Sequence, residues 1–190
     1  MSEKTIKAIT LYQPWASLVA MGEKKIETRS WSTKYRGPLA IHAGMNHKFM
    51  KLIAERPFSD VFGNEINRFP FGQVIAVCRL VDCIQVPLDG SNKLKYWASV
   101  ISLFPPLTSA FKNVCIPPGY PELEFGDYTP GRFAWILDEV EMLPEPIPAS
   151  GMLGLWNWEM PALEKHPRPS QDQLECTGTA ENAQEVGYGG

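Results

Sequence analysis

The chain has 190 residues, 44% of them apolar, 21% charged and 11% aromatic, with a net charge of −3. That balance suits a soluble globular domain large enough to bury a core of its own, and it offers no general electrostatic case for a polyanion partner. Seventeen prolines argue against a helical bundle.

The charge is unevenly spread. Residues 1–50 hold eight basic and three acidic groups, while 122–145 hold seven acidic and one basic. A basic opening of this kind suits a polyanion-binding face, or a solvated surface. Cys78, Cys83, Cys115 and Cys176 form no Cys-x-x-Cys pair, and with three scattered histidines there is no zinc pattern. Reduced thiols in a cytoplasmic protein are expected, with no metal or cofactor. No apolar run approaches the roughly 18–20 residues of a membrane span, and no signal sequence is visible, so no membrane partner is expected.

Taken in order, "IKAITLY" (6–12) is a short β-branched strand candidate. In "QPWASLVAMG", Pro14 suits a first helical turn and Gly22 a C-terminal stop, with Trp15, Leu18 and Val19 at helical spacing. "KKIETRSW" then alternates, with Ile26, Thr28 and Ser30 on one face and Lys25, Glu27, Arg29 and Trp31 on the other. "PLAIHAG" (38–44) is a third strand, with His42 opposite Leu39, Ile41 and Ala43. "NHKFMKLIAER" (46–56) predicts a helix capped by Asn46 and ended by Pro57, followed by a loop over 57–72. "GQVIAVCRLVDCIQV" (72–86) is the longest apolar strand, expected to bulge near Val81–Cys83.

Residues 87–131 read as irregular, with a short helix around 93–103. "GRFAWILDEVEMLPEPIP" (131–148) is a further strand and "GMLGLWNWEM" (151–160) a last one. From about 161 the chain turns polar, as a disordered tail does. The expected organisation is one domain over 1–160 and a tail over 161–190. Five to six strands with two to three short helices indicate an α+β fold, and long strands at this spacing favour a small, partly closed barrel.

Residues 22–29 carry the pattern Gly-x-Lys-x-x-Glu-x-Arg as Gly22, Lys24, Glu27 and Arg29, with Gln13-Pro14-Trp15 upstream and Trp31 downstream. In its strand-helix-strand context this resembles the opening of an ASCH domain, a relative of the PUA fold. "GDYTPGRFAWILDEVEMLPEPIP" and "GLWNW" are similar to that family's closing strands. The resemblance implies a PUA-like pseudo-barrel with a cleft beside the motif, and RNA or a modified nucleobase as ligand. In a subset of small bacterial members, amidohydrolases acting on N4-acetylcytidine, the motif lysine is catalytic, helped by a threonine at the motif's glutamate position and by a distant glutamate. Others have been proposed as ribonucleases. Here Glu27 stands where that threonine would be, and no counterpart of the distant glutamate is evident.

Each candidate carries two readings. Lys24 pairs with a phosphate or polarises a carbonyl, or is a solvated charge. Glu27 and Arg29, two apart on a strand, read a base and a phosphate, or form a salt bridge within the cleft wall. Trp15 and Trp31 stack on an unstacked base, or belong to the core. Gln13 borders the same cleft, while Tyr35 and Arg36 lie at the tip of the basic loop that follows. His42 is a general base or a hydrogen-bonded wall residue, and Arg132 reaches the cleft or pairs with Asp127 or Glu139.

Two functions follow as expectations. One is an RNA or modified-nucleoside binder, DNA not excluded, acting as a monomer. The other is a hydrolase on the same ligands, with Lys24 and Glu27 as its catalytic pair.

Overall fold

The computed structural model describes residues 4–63, 69–86 and 121–161. Six strands form one mixed sheet: β1 (Lys4–Leu11), β2 (Ile26–Arg29), β3 (Gly37–Ala43), β4 (Gln73–Gln85), β5 (Phe133–Pro148) and β6 (Leu155–Met160). Their order is β2-β5-β4-β3-β1-β6. The fold is therefore α+β. The sheet is not closed, because β2 and β6 end the order and share no ladder. The expected helix over 93–103, the tail from 162 onward, Cys115 and Cys176 lie outside the described residues.

β1 and β3 run parallel, from Lys7↔Leu39 to Leu11↔Ala43, and every other pair is antiparallel. A parallel pair requires a crossover, and the segment that makes it carries α1 (Trp15–Ala20) and β2. Ile9, Leu11, Leu39, Ile41 and Ala43 face one apolar layer, where Ala16, Val19 and Ala20 of α1 cover them with Trp135 and Leu137. Ile6, Ala8 and Ala40 face the other layer, against Val74, Leu143, Trp156 and Trp158. Burial on both faces explains why Ala8 and Ile9 in β1, and Leu39, Ala40 and Ile41 in β3, are consecutive apolar residues.

The two longest strands bend through irregularities. The β4–β5 register shifts between Val74/Ala76, Val77/Arg79 and Leu80/Asp82, and only the last coincides with the bulge expected from sequence. Glu139 takes a φ of 49°, the left-handed conformation that bulges use.

Three expectations are corrected. Residues 46–56 do not form one helix: a 3-10 turn occupies Met50–Ala54, and Glu55 is already extended. A residue preceding proline is pushed out of the α region, which stops the helix before Pro57. Asn46 does not cap it, since the turn begins only at Met50, with Phe49 in the N-cap position and no side-chain capping bond. Asn46 instead accepts the N–H of Lys48 at 2.8 Å in a local turn. The stretch after Pro57 is not all loop, because α2 (Phe58–Phe62) forms there. Phe58 and Phe62 are buried with Leu18, Ile53 and Phe125, so tertiary packing selects a helix that local composition does not announce. Residues 151–154 are likewise outside the last strand, which begins at Leu155.

Leu39 is fully buried at the parallel pair, whereas Leu153 is 99% exposed. Leu39→Ala is expected to remove about 2–5 kcal/mol of stability in chemical denaturation, and Leu153→Ala less than about 0.5 kcal/mol.

Candidate functional site

The motif segment leaves α1 through Gly22, whose φ of +78° suits glycine. The N–H groups of Glu23 and Lys24 both donate to the Leu18 carbonyl, at 2.9 and 3.0 Å, turning the chain towards β2. Along β2, Ile26 and Thr28 are buried while Glu27 and Arg29 are half-buried. The alternation read from sequence therefore holds, and it places the motif's charges in two different environments.

Lys24 shares its parity with Ile26 and Thr28 and points inward. Its side chain is 1% exposed, with Nζ 3.6 Å from Oε1 of Glu122, which is equally buried. Nζ also donates to the Ile26 carbonyl. The Glu122 carboxylate accepts the backbone N–H of Lys25 at 2.6 Å and of Ile26 at 3.2 Å. Burial raises the Glu122 carboxyl above its ordinary range, opposed by the Lys24 charge and these N–H donors. Four groups at the entry to β2 thus converge, and Lys24 does not line the cleft. Glu122 had no signal in the sequence; the inward parity of Lys24 did.

Glu27 and Arg29 reach the cleft, a cavity of about 430 Å³ beyond the carboxyl ends of β1 and β3. Arg29 Nη2 donates to the Thr10 carbonyl at 3.1 Å, and its Nε lies 3.1 Å from Glu27 Oε1. Among the described residues, these two alone are charged of those that line the cavity. Tyr12 and Trp15 supply an aromatic wall, each set edge-on against Phe49 at 5.2 and 5.1 Å between centroids. Met45, Asn46 and the turn 151–154 complete the rim. Trp15, Glu27 and Arg29 are therefore the sequence candidates that the fold gathers at one place. Tyr12, Met45 and the turn were missed, since each is adjacent to an element that was read only as strand or helix.

The other candidates are held elsewhere. Gln13 is fully buried, donating to the Pro70 carbonyl at 2.9 Å and accepting the Ser17 N–H at 3.1 Å. Trp31 packs edge-on against Trp135 at 4.6 Å, on the main core. Tyr35 donates to the Pro38 carbonyl, and Arg36 pairs with Asp82. Arg132 binds the carbonyls of Asp127 and Thr28 at 3.1 and 3.3 Å and pairs with the Asp127 carboxylate at 3.3 Å, but makes no such pair with Glu139. Of the cysteines described, Cys78 and Cys83 are free thiols, and burial pushes Cys78 up to about 12.

His42 is 1% exposed and set edge-on to Trp156. Its Nε2 is 3.0 Å from the Ala149 carbonyl, which can only accept, so Nε2 carries the proton and Nδ1 is left with no hydrogen-bond partner. Burial lowers its pKa.

The family model described as "ASCH domain" matches residues 9–140, and the chain belongs to the ASCH domain family. It is similar to activating signal cointegrator 1 of Homo sapiens and of Mus musculus, 32% identical over 81 residues in each case. That alignment covers 40% of this chain and 14% of the length of those curated relatives. Among solved structures, it is similar to the ASCH protein of Zymomonas mobilis, with a TM-score of 0.42 and 14% identity over 80% of this chain and 87% of that one. Two point variants of the same protein match with TM-scores of 0.41. No helix among the described residues is long and apolar enough to cross a membrane.

Two outcomes follow from the buried groups. Lys24→Met leaves the Glu122 carboxylate without its cation and is expected to lower stability by about 3–5 kcal/mol in denaturant titration. For His42 the folded pKa lies below the unfolded value of about 6.5, so its contribution is complete above that value and is lost as pH falls beneath it. Between pH 7.5 and 5.5 the wild-type protein should therefore lose more stability than His42→Asn. Equal slopes in the two proteins would show that His42 is not held neutral.

Proposed function

We propose that this chain binds RNA by taking a single nucleobase, plain or modified, into the cleft. The observation that carries this reading is the Glu27–Arg29 pair, partly open to solvent beneath an aromatic wall of Tyr12 and Trp15. A base offers amino donors to a carboxylate, acceptors to a guanidinium, and a flat face to an aromatic ring. A cavity of about 430 Å³ is within the range of small-ligand sites, and it suits one nucleotide better than a tracked backbone. The basic excess of residues 1–50 favours a polyanionic ligand without wrapping one. Membership of the family supports an RNA-type ligand in general.

The hydrolase reading requires Lys24 at a substrate carbonyl. The Lys24 ammonium is instead enclosed between Glu122 and the Ile26 carbonyl, which favours binding over catalysis. Glu122 is nevertheless a carboxylate distant in sequence and beside the motif lysine, and so the hydrolase remains as the second reading.

The test is to mix the protein with a short single-stranded RNA containing one N4-acetylcytidine and to record native mass spectra over time. A persistent complex with intact RNA supports a binder, while loss of the acetyl mass or chain cleavage assigns a hydrolase. With the same RNA, Arg29→Gln should weaken binding at least fivefold by fluorescence anisotropy while the melting temperature stays within a few degrees. Unchanged affinity in a normally folded variant would remove the cleft from this role.

A further inference from the structure

The turn that follows β5 presents apolar side chains to water in a way that neither core nor cleft explains. Leu153 is 99% exposed and Met152 57%, and both stand on the rim of the cleft beside Tyr12 at 47% and Met45 at 69%. Glycines flank the pair, for two different reasons. At Gly151 a Cβ would lie 2.4 Å from His42 Cε1, 2.7 Å from His42 Nδ1 and 2.9 Å from Thr10 Oγ1, so the backbone there presses directly onto the buried His42 ring and the half-buried Thr10 side chain. At Gly154 the space is open but φ is +70°, a conformation in which other residues are strained. The turn is thus anchored at one end by close packing and redirected at the other by backbone conformation, and its only projecting side chains are Met152 and Leu153.

We propose that Met152–Leu153 is an apolar wedge that enters a stacked RNA helix and fills the gap left by the base taken into the cleft. The inference rests on the reading of the cleft as a nucleobase site, and it extends the ligand from single strands to paired RNA. Removing a base from a stack exposes the faces of its neighbours, and an inserted apolar side chain offsets that loss. The wedge must stand next to the pocket that receives the base, and these side chains line both the rim and the cavity.

The charge beside the rim favours the same occupant. Lys48 Nζ lies 5.1 Å from the centroid of the Phe49 ring, which itself contacts the cleft aromatics Tyr12 and Trp15. A cation therefore flanks the rim, where a phosphate backbone would pass, and the one acid lining the cleft is already paired with Arg29.

The experiment uses an RNA hairpin with one 2-aminopurine in its stem, and a single strand carrying the same probe. With the wild-type chain, fluorescence of the hairpin should rise severalfold on binding as the probe leaves the stack. Leu153→Ser, at a position 99% exposed with almost no intramolecular contact to lose, should cut that rise at least fivefold and weaken hairpin binding at least fivefold more than single-strand binding. Leu153→Phe should retain the rise. If Leu153→Ser matches wild type on both RNAs, the wedge is overturned, the nucleobase reading stands, and the tip is left for a protein partner. An equal loss on hairpin and single strand also overturns the wedge, making Leu153 a general contact. If the wild-type chain binds neither RNA, the nucleobase reading fails and the wedge with it.

Discussion

The carboxylate of Glu122 is the point on which the arrangement of the cleft depends. It joins an ammonium and two backbone N–H groups at the start of β2, a four-residue strand at the edge of the sheet. Only four register pairs with β5 hold that strand, so short an element that its orientation needs support from outside the ladder. Glu122 gives that support at its entry. At its middle, Thr28 does so: its hydroxyl accepts the Asp127 N–H at 3.0 Å and its carbonyl accepts from Arg132. With both points held, alternation carries Glu27 and Arg29 to the cleft and keeps Ile26 and Thr28 inside.

This division explains the mixed charge of the motif. Lysine, glutamate and arginine stand within six residues, yet they do not form one polar surface. A buried ammonium needs a partner nearby, and Glu122 is that partner. Glu27 and Arg29 are only partly covered, at 13% and 25% exposure, so their mutual attraction is screened by water and contributes little to stability. What their pairing does is hold a guanidinium and a carboxylate side by side in the lining of the cavity.

The position of the cleft follows from the one parallel pair. β1 and β3 end together, at Leu11 and Ala43, and the segments that follow both ends line the cleft. The space beyond the carboxyl ends of parallel strands is where open sheets commonly bind ligands. Tyr12 and Trp15 follow from the first end and Met45 and Asn46 from the second, while the turn 151–154 comes from β5. Sidedness within β3 matters as well: His42 lies on the face opposite Leu39 and Ile41, beneath Gly151, and so supports the wall of the cleft without entering it.

The sequence by itself determined the strands, their alternation, the helix between Pro14 and Gly22, and the family motif, because each depends on side-chain period or on backbone preferences of single residues. It also placed Glu27 and Arg29 on a common face, since a period of two is a local property. Only the tertiary structure decided that Lys24 belongs to the interior, that Gln13 and His42 support the site from behind, and that Trp31, Tyr35, Arg36 and Arg132 serve other contacts. The partner of Lys24 lies 98 positions away, and no local pattern encodes a contact of that separation. The same holds for α2, which exists because Phe58 and Phe62 find Leu18 and Phe125, and for the turn 151–154, whose exposure depends on which strands it joins. Local chemistry specifies elements and faces; which faces meet is settled when the chain closes its non-local contacts.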